Sequence, residues 1–197
     1  MNPQPVALEG RHVRLLPLGH EHHADLCAIG LDPHIWRWFP DPVATGGEMR
    51  DWIEEALRAA SAGEAVPFVI TLRDGTVVGS TRYGNINRAN LRLEIGWTWV
   101  APAWQRSAVN TEAKLLLMAH AFDQLQCNRV EFKTDSLNVK SRAALAGIGA
   151  TEEGTLRRHM VTASGRIRDS VYFSVIREEW PGVRRRLEDR LARHGSG

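Results

Sequence analysis

Apolar and polar positions change period repeatedly along the chain, and each change marks an element. Val13 and Leu15 alternate with Arg14, so residues 6–16 read as a first strand. Residues 20–31 read as helical. Residues 49–62 form a second helix, with Trp52, Ile53, Ala56, Leu57 and Ala60 spaced for one buried face. Residues 67–72 and 77–83 flank Arg73-Asp74-Gly75-Thr76, and Asp-Gly between apolar runs predicts a tight hairpin. A strand follows at 91–100, then a helix at 111–125 with Ala113, Leu116, Leu117, Ala121 and Phe122 on one side. Next come a strand at 129–134 and a helix at 139–147. Strands at 154–162 and 170–177 bracket the turn Ala163-Ser164-Gly165-Arg166. Residues 187–194 read as a charged helical tail. Antiparallel hairpins interspersed with helices predict one α/β (α+β) domain around a mixed sheet. Its bounds are set at 6–182, with a charged C-terminal tail at 183–197.

Composition narrows the class. A chain of 197 residues can bury a core without help from metals or disulfides. The formal net charge is only +2, against a dedicated nucleic-acid binder. Arg157-Arg158 and Arg184-Arg185-Arg186 read as solvated surface. Cys27 and Cys127 lack ligand spacing and read as reduced thiols. His20, His22 and His23 lack the partners of a metal site, so no metal is expected. The N-terminus shows no apolar core of a secretory signal, and nothing approaches the roughly twenty apolar residues of a membrane span. The expectation is a soluble cytoplasmic protein with neither nucleic acid nor membrane as partner.

The chemistry concentrates in one stretch. Glu94-Ile95-Gly96-Trp97-Thr98-Trp99-Val100 reads as a strand and Ala101-Pro102-Ala103-Trp104 as a turn. Gln105-Arg106-Ser107-Ala108-Val109-Asn110-Thr111-Glu112-Ala113 reads as a polar loop entering a helix. Such a loop brings unpaired N–H groups and the positive end of a helix dipole to one place, which suits an anion. A carboxylate, Glu94, stands on the strand feeding it. An anion cradle joined to a base suggests an enzyme handling a phosphorylated cofactor.

This arrangement resembles the acyl-CoA N-acetyltransferases of the GNAT superfamily, whose Gln/Arg-x-x-Gly-x-Gly/Ala loop holds the CoA pyrophosphate. The matching run here is Gln105-x-x-Ala108-x-Asn110, with alanine and asparagine at the glycine positions. Alanine suits a right-handed helical backbone but not positive φ. Further matches come in order: Arg129-Val130-Glu131-Phe132-Lys133-Thr134-Asp135, then Ser136-Leu137-Asn138 and the run to Gly149-Ala150. Within the superfamily the chain is similar to the ribosomal-protein alanine N-acetyltransferase (RimJ/RimL-like) branch. The residues carrying that likeness are 8–15, Asn110-Thr111-Glu112-Ala113, and 168–175 with Glu179-Trp180. The likeness runs from about Leu8 to Trp180. It implies a twisted sheet splayed between the fourth and fifth strands, flanked by helices, with acetyl-CoA as cosubstrate in the gap. It also implies cofactor contacts by Trp99, Val100, Gln105, Arg106, Ser107, Ala108, Val109, Asn110, Thr111 and Asn138.

Acetyl transfer to an amine needs a base, donors for the oxyanion, and relief for the leaving thiolate. Glu94 is the candidate base; a solvent-facing strand position is its other reading. The helix at 139–147 has no tyrosine to protonate the thiolate, so Ser141 is the candidate acid, with surface serine the alternative. Asn138 can cap its helix or contact pantetheine. Trp36 and Trp38, in a Pro-punctuated segment, are candidate walls of an acceptor pocket; core packing or a surface staple is their other reading. The acceptor is a primary amine, on a protein N-terminus or a small molecule. The strand-rich C-terminal region offers a surface for a homodimer. A non-catalytic acyl-CoA-binding or sensing module is the second reading.

Overall fold

The computed structural model describes residues 1–194. Eight strands form one sheet: β1 (Leu8–Glu9), β2 (Val13–Pro17), β3 (Val66–Leu72), β4 (Val77–Asn87), β5 (Arg92–Val100), β6 (Arg129–Asp135), β7 (Thr151–Val161) and β8 (Ile167–Ile176). Their order across the sheet is β1-β2-β3-β4-β5-β6-β8-β7. Every neighbouring pair is antiparallel except β5 and β6. These two pair only at Arg92–Arg129, Leu93–Val130 and Glu94–Glu131, and then diverge. Counted from β2, they are the fourth and fifth strands, so the splay lies where the resemblance implies it.

Helices cover both faces. On one side lie α1 (His23–Gly30), the short α2 (Pro33–Trp36) and α3 (Gly46–Ser61), which contribute Leu26, Ile35, Trp36, Met49, Ile53 and Ala56 to a core with Val69, Val77 and Trp99. On the other lie α4 (Ala108–Ala119), α5 (Val139–Ile148) and α6 (Trp180–His194). Their Val109, Ala113, Leu117, Leu145, Ile148, Val183 and Leu187 pack on Leu93, Ile95, Val130 and Phe132. Capping explains where α3 and α5 begin. Thr45 and Glu48 form a reciprocal capping box at α3, and Asn138 accepts the Ser141 N–H at 3.0 Å at α5. Gly149, at φ 95°, ends α5 in the left-handed conformation that favours glycine.

Two expectations change. The single strand at 6–16 is a hairpin, with Leu8 facing Leu15 and Glu9 facing Arg14. What bends it is a carboxylate far along the chain: Glu112, on α4, accepts the N–H groups of Arg11, His12 and Val13 at 2.9, 2.6 and 2.7 Å. Gly10 lies so close that a Cβ there would meet this carboxylate at 2.5 Å. No local pattern announces such a turn. The tail boundary at 182/183 is also wrong, because α6 runs straight across it. Val183 is 4 % and Leu187 0 % exposed, so the first turns of α6 belong to the core.

Glu112→Ala leaves three backbone donors without their acceptor and should cost about 2–4 kcal/mol, read as a lower midpoint in urea at unchanged slope. Leu187→Ala should cost about 2–4 kcal/mol by cavity formation. A freely solvated tail would show no change there.

Candidate active site

Where β5 and β6 part, a cleft of about 190 Å³ opens between them. Residues 38–40, β5, α4, β6, α5 and β8 all contribute to its walls. Among the described residues, β5 has no strand partner on the β6 side from Ile95 onward. Its backbone groups on that edge face the cleft, where buried polar groups need a ligand or water.

Glu94 is the last residue of β5 paired to β6 and is 2 % exposed. Its Oε2 accepts the Asn85 Nδ2–H at 2.7 Å and lies 3.7 Å from Lys133 Nζ. Burial pushes its carboxyl above the usual carboxylate range. The Lys133 charge and the Asn85 hydrogen bond pull the other way, and Glu131 adds to the rise. A Cβ on Gly96 would stand 2.7 Å from Glu94 Oε1, so this glycine leaves the carboxylate its place. Glu94 is thus a buried group on the cleft wall, not a solvated strand residue.

Just beyond, β5 bulges. Ser80 faces Trp99 and Arg82 faces Gly96, so β5 carries one extra residue against β4. Trp97 takes up the distortion at φ 51°, a conformation that costs a tryptophan energy. The guanidinium of Arg82 stacks against it, 4.9 Å from the Trp97 ring centroid, and lies 5.0 Å from that of Trp52. Glu55 pairs with Arg82 at 2.8 Å. The bulge re-aims the backbone of β5 at the cleft.

At the far end of β5 the polar loop enters α4. Ala108 and Asn110, which replace the family's glycines, both lie in the right-handed first turn of α4. The left-handed position falls instead on Arg106, at φ 62°. Ser107 caps the helix, accepting the Val109 N–H at 3.3 Å and donating to the Trp104 carbonyl at 2.6 Å. Gln105 braces the loop: its Nε2–H donates to the Val100 carbonyl at 3.0 Å, and its Oε1 accepts from Lys140 Nζ at 2.7 Å. The remaining N–H groups of the first turn, Ala108 and Asn110, fit an anionic group. The side chains of Ala108, Val109 and Thr111 are buried, so only their backbone is available to a cofactor.

The candidate residues do not all converge. Glu94, Asn138, Ser141 and Trp38 line the cleft. Trp36 does not: it is 2 % exposed, donates its Nε1–H to the Gly30 carbonyl at 2.6 Å, and packs against Phe39, Trp52 and Trp99. The indole of Trp99 lies in the same core, and the Val100 side chain is buried on the opposite face. These three side chains are framework, because aromatic and branched area gains more from the core than from the cleft rim. Trp38 is held over the cleft by Arg168, whose Nη1–H donates to its carbonyl at 3.3 Å. Arg168 and Arg166 in turn flank the buried Asp135, at 3.7 and 2.5 Å.

Other functional residues escaped the sequence reading. Asn85 and Lys133 favour the ionised form of Glu94 against its burial; only the register of β4, β5 and β6 reveals them. Phe39, Pro40 and Met160 line the cleft together with Trp97. Lys114 also lines it, and here a signal existed: a lysine inside Ala113-Lys114-Leu115-Leu116-Leu117-Met118. The three histidines do local work in the fold, His20 beside Glu54, His22 against Gly19, and His23 on the Gly46 carbonyl. Among the described residues no helix is long and apolar enough to cross a membrane.

Known proteins share this architecture. The family model described as acetyltransferase (GNAT) domain matches residues 12–151. A Bacillus subtilis (strain 168) protein named "Putative ribosomal N-acetyltransferase YdaF" is 35% identical over 111 residues. That match takes in 56% of this chain and 60% of the relative, so the chain spans less than two thirds of that protein's length. The crystal structure of a GCN5-related N-acetyltransferase from Brucella melitensis superposes with a TM-score of 0.88 at 32% identity, over 97% of this chain and 87% of that one. Mycobacterium smegmatis RimJ, solved in complex with CoA-disulfide, gives a TM-score of 0.80 at 28% identity, over 95% and 94% of the two chains. The family match and the shared fold together make this chain a member of the GNAT family of acetyltransferases.

Proposed function

We propose that the chain moves an acetyl group from acetyl-CoA to a primary amine by direct attack, with both substrates bound. The observation that carries this reading is Glu94: a buried carboxylate of raised pKa, seated where β5 and β6 separate, on the wall of the same cleft as the start of α5. The residues present fit acetyl-CoA. The open N–H groups of α4 suit the pyrophosphate, the unpaired edge of β5 suits the amides of the pantetheine arm, and Asn138 stands at the cleft beside Ser141.

Acetyl-CoA supplies the activated thioester carbonyl. Glu94 accepts the proton of the attacking amine, a task for which a carboxylate raised above its ordinary range is better matched near neutrality. The bulged backbone at Trp97 and Thr98 supports an oxyanion, since fixed N–H donors in a water-poor site need no reorganisation. Ser141, whose hydroxyl has no hydrogen-bond partner among the described residues, can donate one to sulfur. Trp38 supports the reading of an aromatic acceptor wall. The names of two relatives, a ribosomal N-acetyltransferase and RimJ, support testing protein N-termini first. Free Cys27 and Cys127 support a reducing, cytoplasmic setting.

The test is calorimetric binding of acetyl-CoA, followed by thiol release with N-terminal peptides and small amines. Glu94→Gln should lower kcat by about 100-fold and leave the cofactor Kd unchanged. Tight binding without thiol release from any amine would sink the transferase reading in favour of an acyl-CoA sensor.

The pH profile gives a separate check. The base works ionised, so kcat should fall as pH drops through the raised Glu94 pKa. Lys133→Met removes the cation that favours the ionised form, and should move that acid limb to higher pH. Glu94→Gln should abolish the limb.

A further inference from the structure

One charged group on the cleft stands apart from the others. Glu94, on β5, faces Lys133 of β6 at 3.7 Å. Asp135, at the end of β6, is flanked by Arg166 and by Arg168 of β8. Lys114, on α4, has no carboxylate, carbonyl or hydroxyl partner among the described residues. Its Nζ stands 5.1 Å from the centroid of the Phe132 ring. The residue is 8 % exposed and lines the cleft.

A desolvated cation without a counter-charge is costly, and a methionine would fill the same space at no such cost. Position suggests what it serves. Phe132 is the first residue of β6 beyond the pairing with β5, so Lys114 stands at the point where the strands part. Side chains alternate along a strand. Lys133 and Glu94 share the face covered by α1–α3, whereas Phe132 packs with α4, α5 and α6. The base and the unpaired cation therefore flank the same gap from opposite faces of the sheet.

We propose that Lys114 binds the sulfur of the acetyl donor and gives it the proton it takes up on leaving. This rests on the acetyl-CoA reading above. In the transfer the amine nitrogen bonds to the acetyl carbon, and its proton goes to Glu94. The carbon–sulfur bond breaks with its electron pair on sulfur, which takes a proton from the Lys114 ammonium. Solvent then removes the proton from Glu94 and restores the one on Lys114, so the net products are the amide and free thiol. Ser141 faces the same space, but a neutral hydroxyl brings no charge to offset a thiolate. Burial lowers the Lys114 pKa to about 8, close to that of a thiol, so the proton passes between groups of similar affinity.

The test compares calorimetric binding of CoA with that of a CoA analogue carrying hydrogen in place of the sulfhydryl. Wild type should prefer CoA by about tenfold or more, as expected for a hydrogen bond to a charged group. Lys114→Met should bind the two alike. The ultraviolet thiolate band of bound CoA should appear at lower pH in wild type than in the variant. The variant should melt no lower than wild type, since it loses an unpaired buried charge. Equal binding of both ligands by wild type overturns the proposal without needing the variant to fold. So does a preference that survives Lys114→Met. Failure of wild type to bind either ligand removes the acetyl-CoA reading itself, and this proposal with it.

Discussion

Everything at this site depends on a parallel strand pair that stops after three residues. β5 and β6 are joined from Arg92 to Glu94 and then separate. A sheet that gives up its ladder inside a protein leaves donors and acceptors that must be met by something else. In this fold the gap sits between two cores, so it is walled by apolar layers yet edged by open backbone. That combination suits a long, amide-bearing ligand and would be a defect otherwise. The single parallel pair has its own cause, since β5 reaches β6 through α4, a crossover that antiparallel hairpins do not need.

Two cores are needed to keep the gap open. The aromatic cluster of Trp36, Trp52 and Trp99 under α1–α3 backs β5 from one side, and Arg82 stacks against Trp52 and Trp97 at the bulge. From the other side α4 carries three duties between Ala108 and Lys114. Its first turn offers N–H groups, Glu112 ties down the β1–β2 turn, and Lys114 turns to the cleft. Buried charge is tolerated on this helix because Glu112 meets three backbone donors. Among the described residues Lys114 meets an aromatic face and no counter-charge, and that asymmetry marks it as a group kept for something other than stability.

The segment over the cleft is fastened differently. Trp38 and Pro40 are bound through their carbonyls, Trp38 to Arg168 and Pro40 to the Ala163 N–H at 2.9 Å. Both bonds come from the β7–β8 hairpin, whose arginines are anchored by Asp135 of β6. The cleft wall opposite β5 is therefore tied to the strand that diverges from it. Such ties join residues 38–40 to β6 through hydrogen bonds and charge pairs.

By itself the sequence determined the class of fold and the order of its elements. The Asp74-Gly75 hairpin, the helical face of Trp52, Ile53 and Ala56, and the strand-loop-helix run from Glu94 to Ala113 are all local patterns. Each follows from residue spacing and turn chemistry within a dozen positions. The resemblance carried by Gln105, Asn138 and their neighbours extended this to the splay and the cofactor. Tertiary structure alone decided which side chains meet. Trp36 and Trp38 are two residues apart and look alike in sequence, yet one is core and the other faces the cleft. Glu94 gains Asn85 and Lys133 only through strand register, and Glu112 shapes a turn about a hundred residues away. Leu187 becomes core because α6 docks, although its own stretch reads as charged tail. Periodicity records how a segment faces, whereas burial, pairing and pKa depend on what faces it from distant parts of the chain.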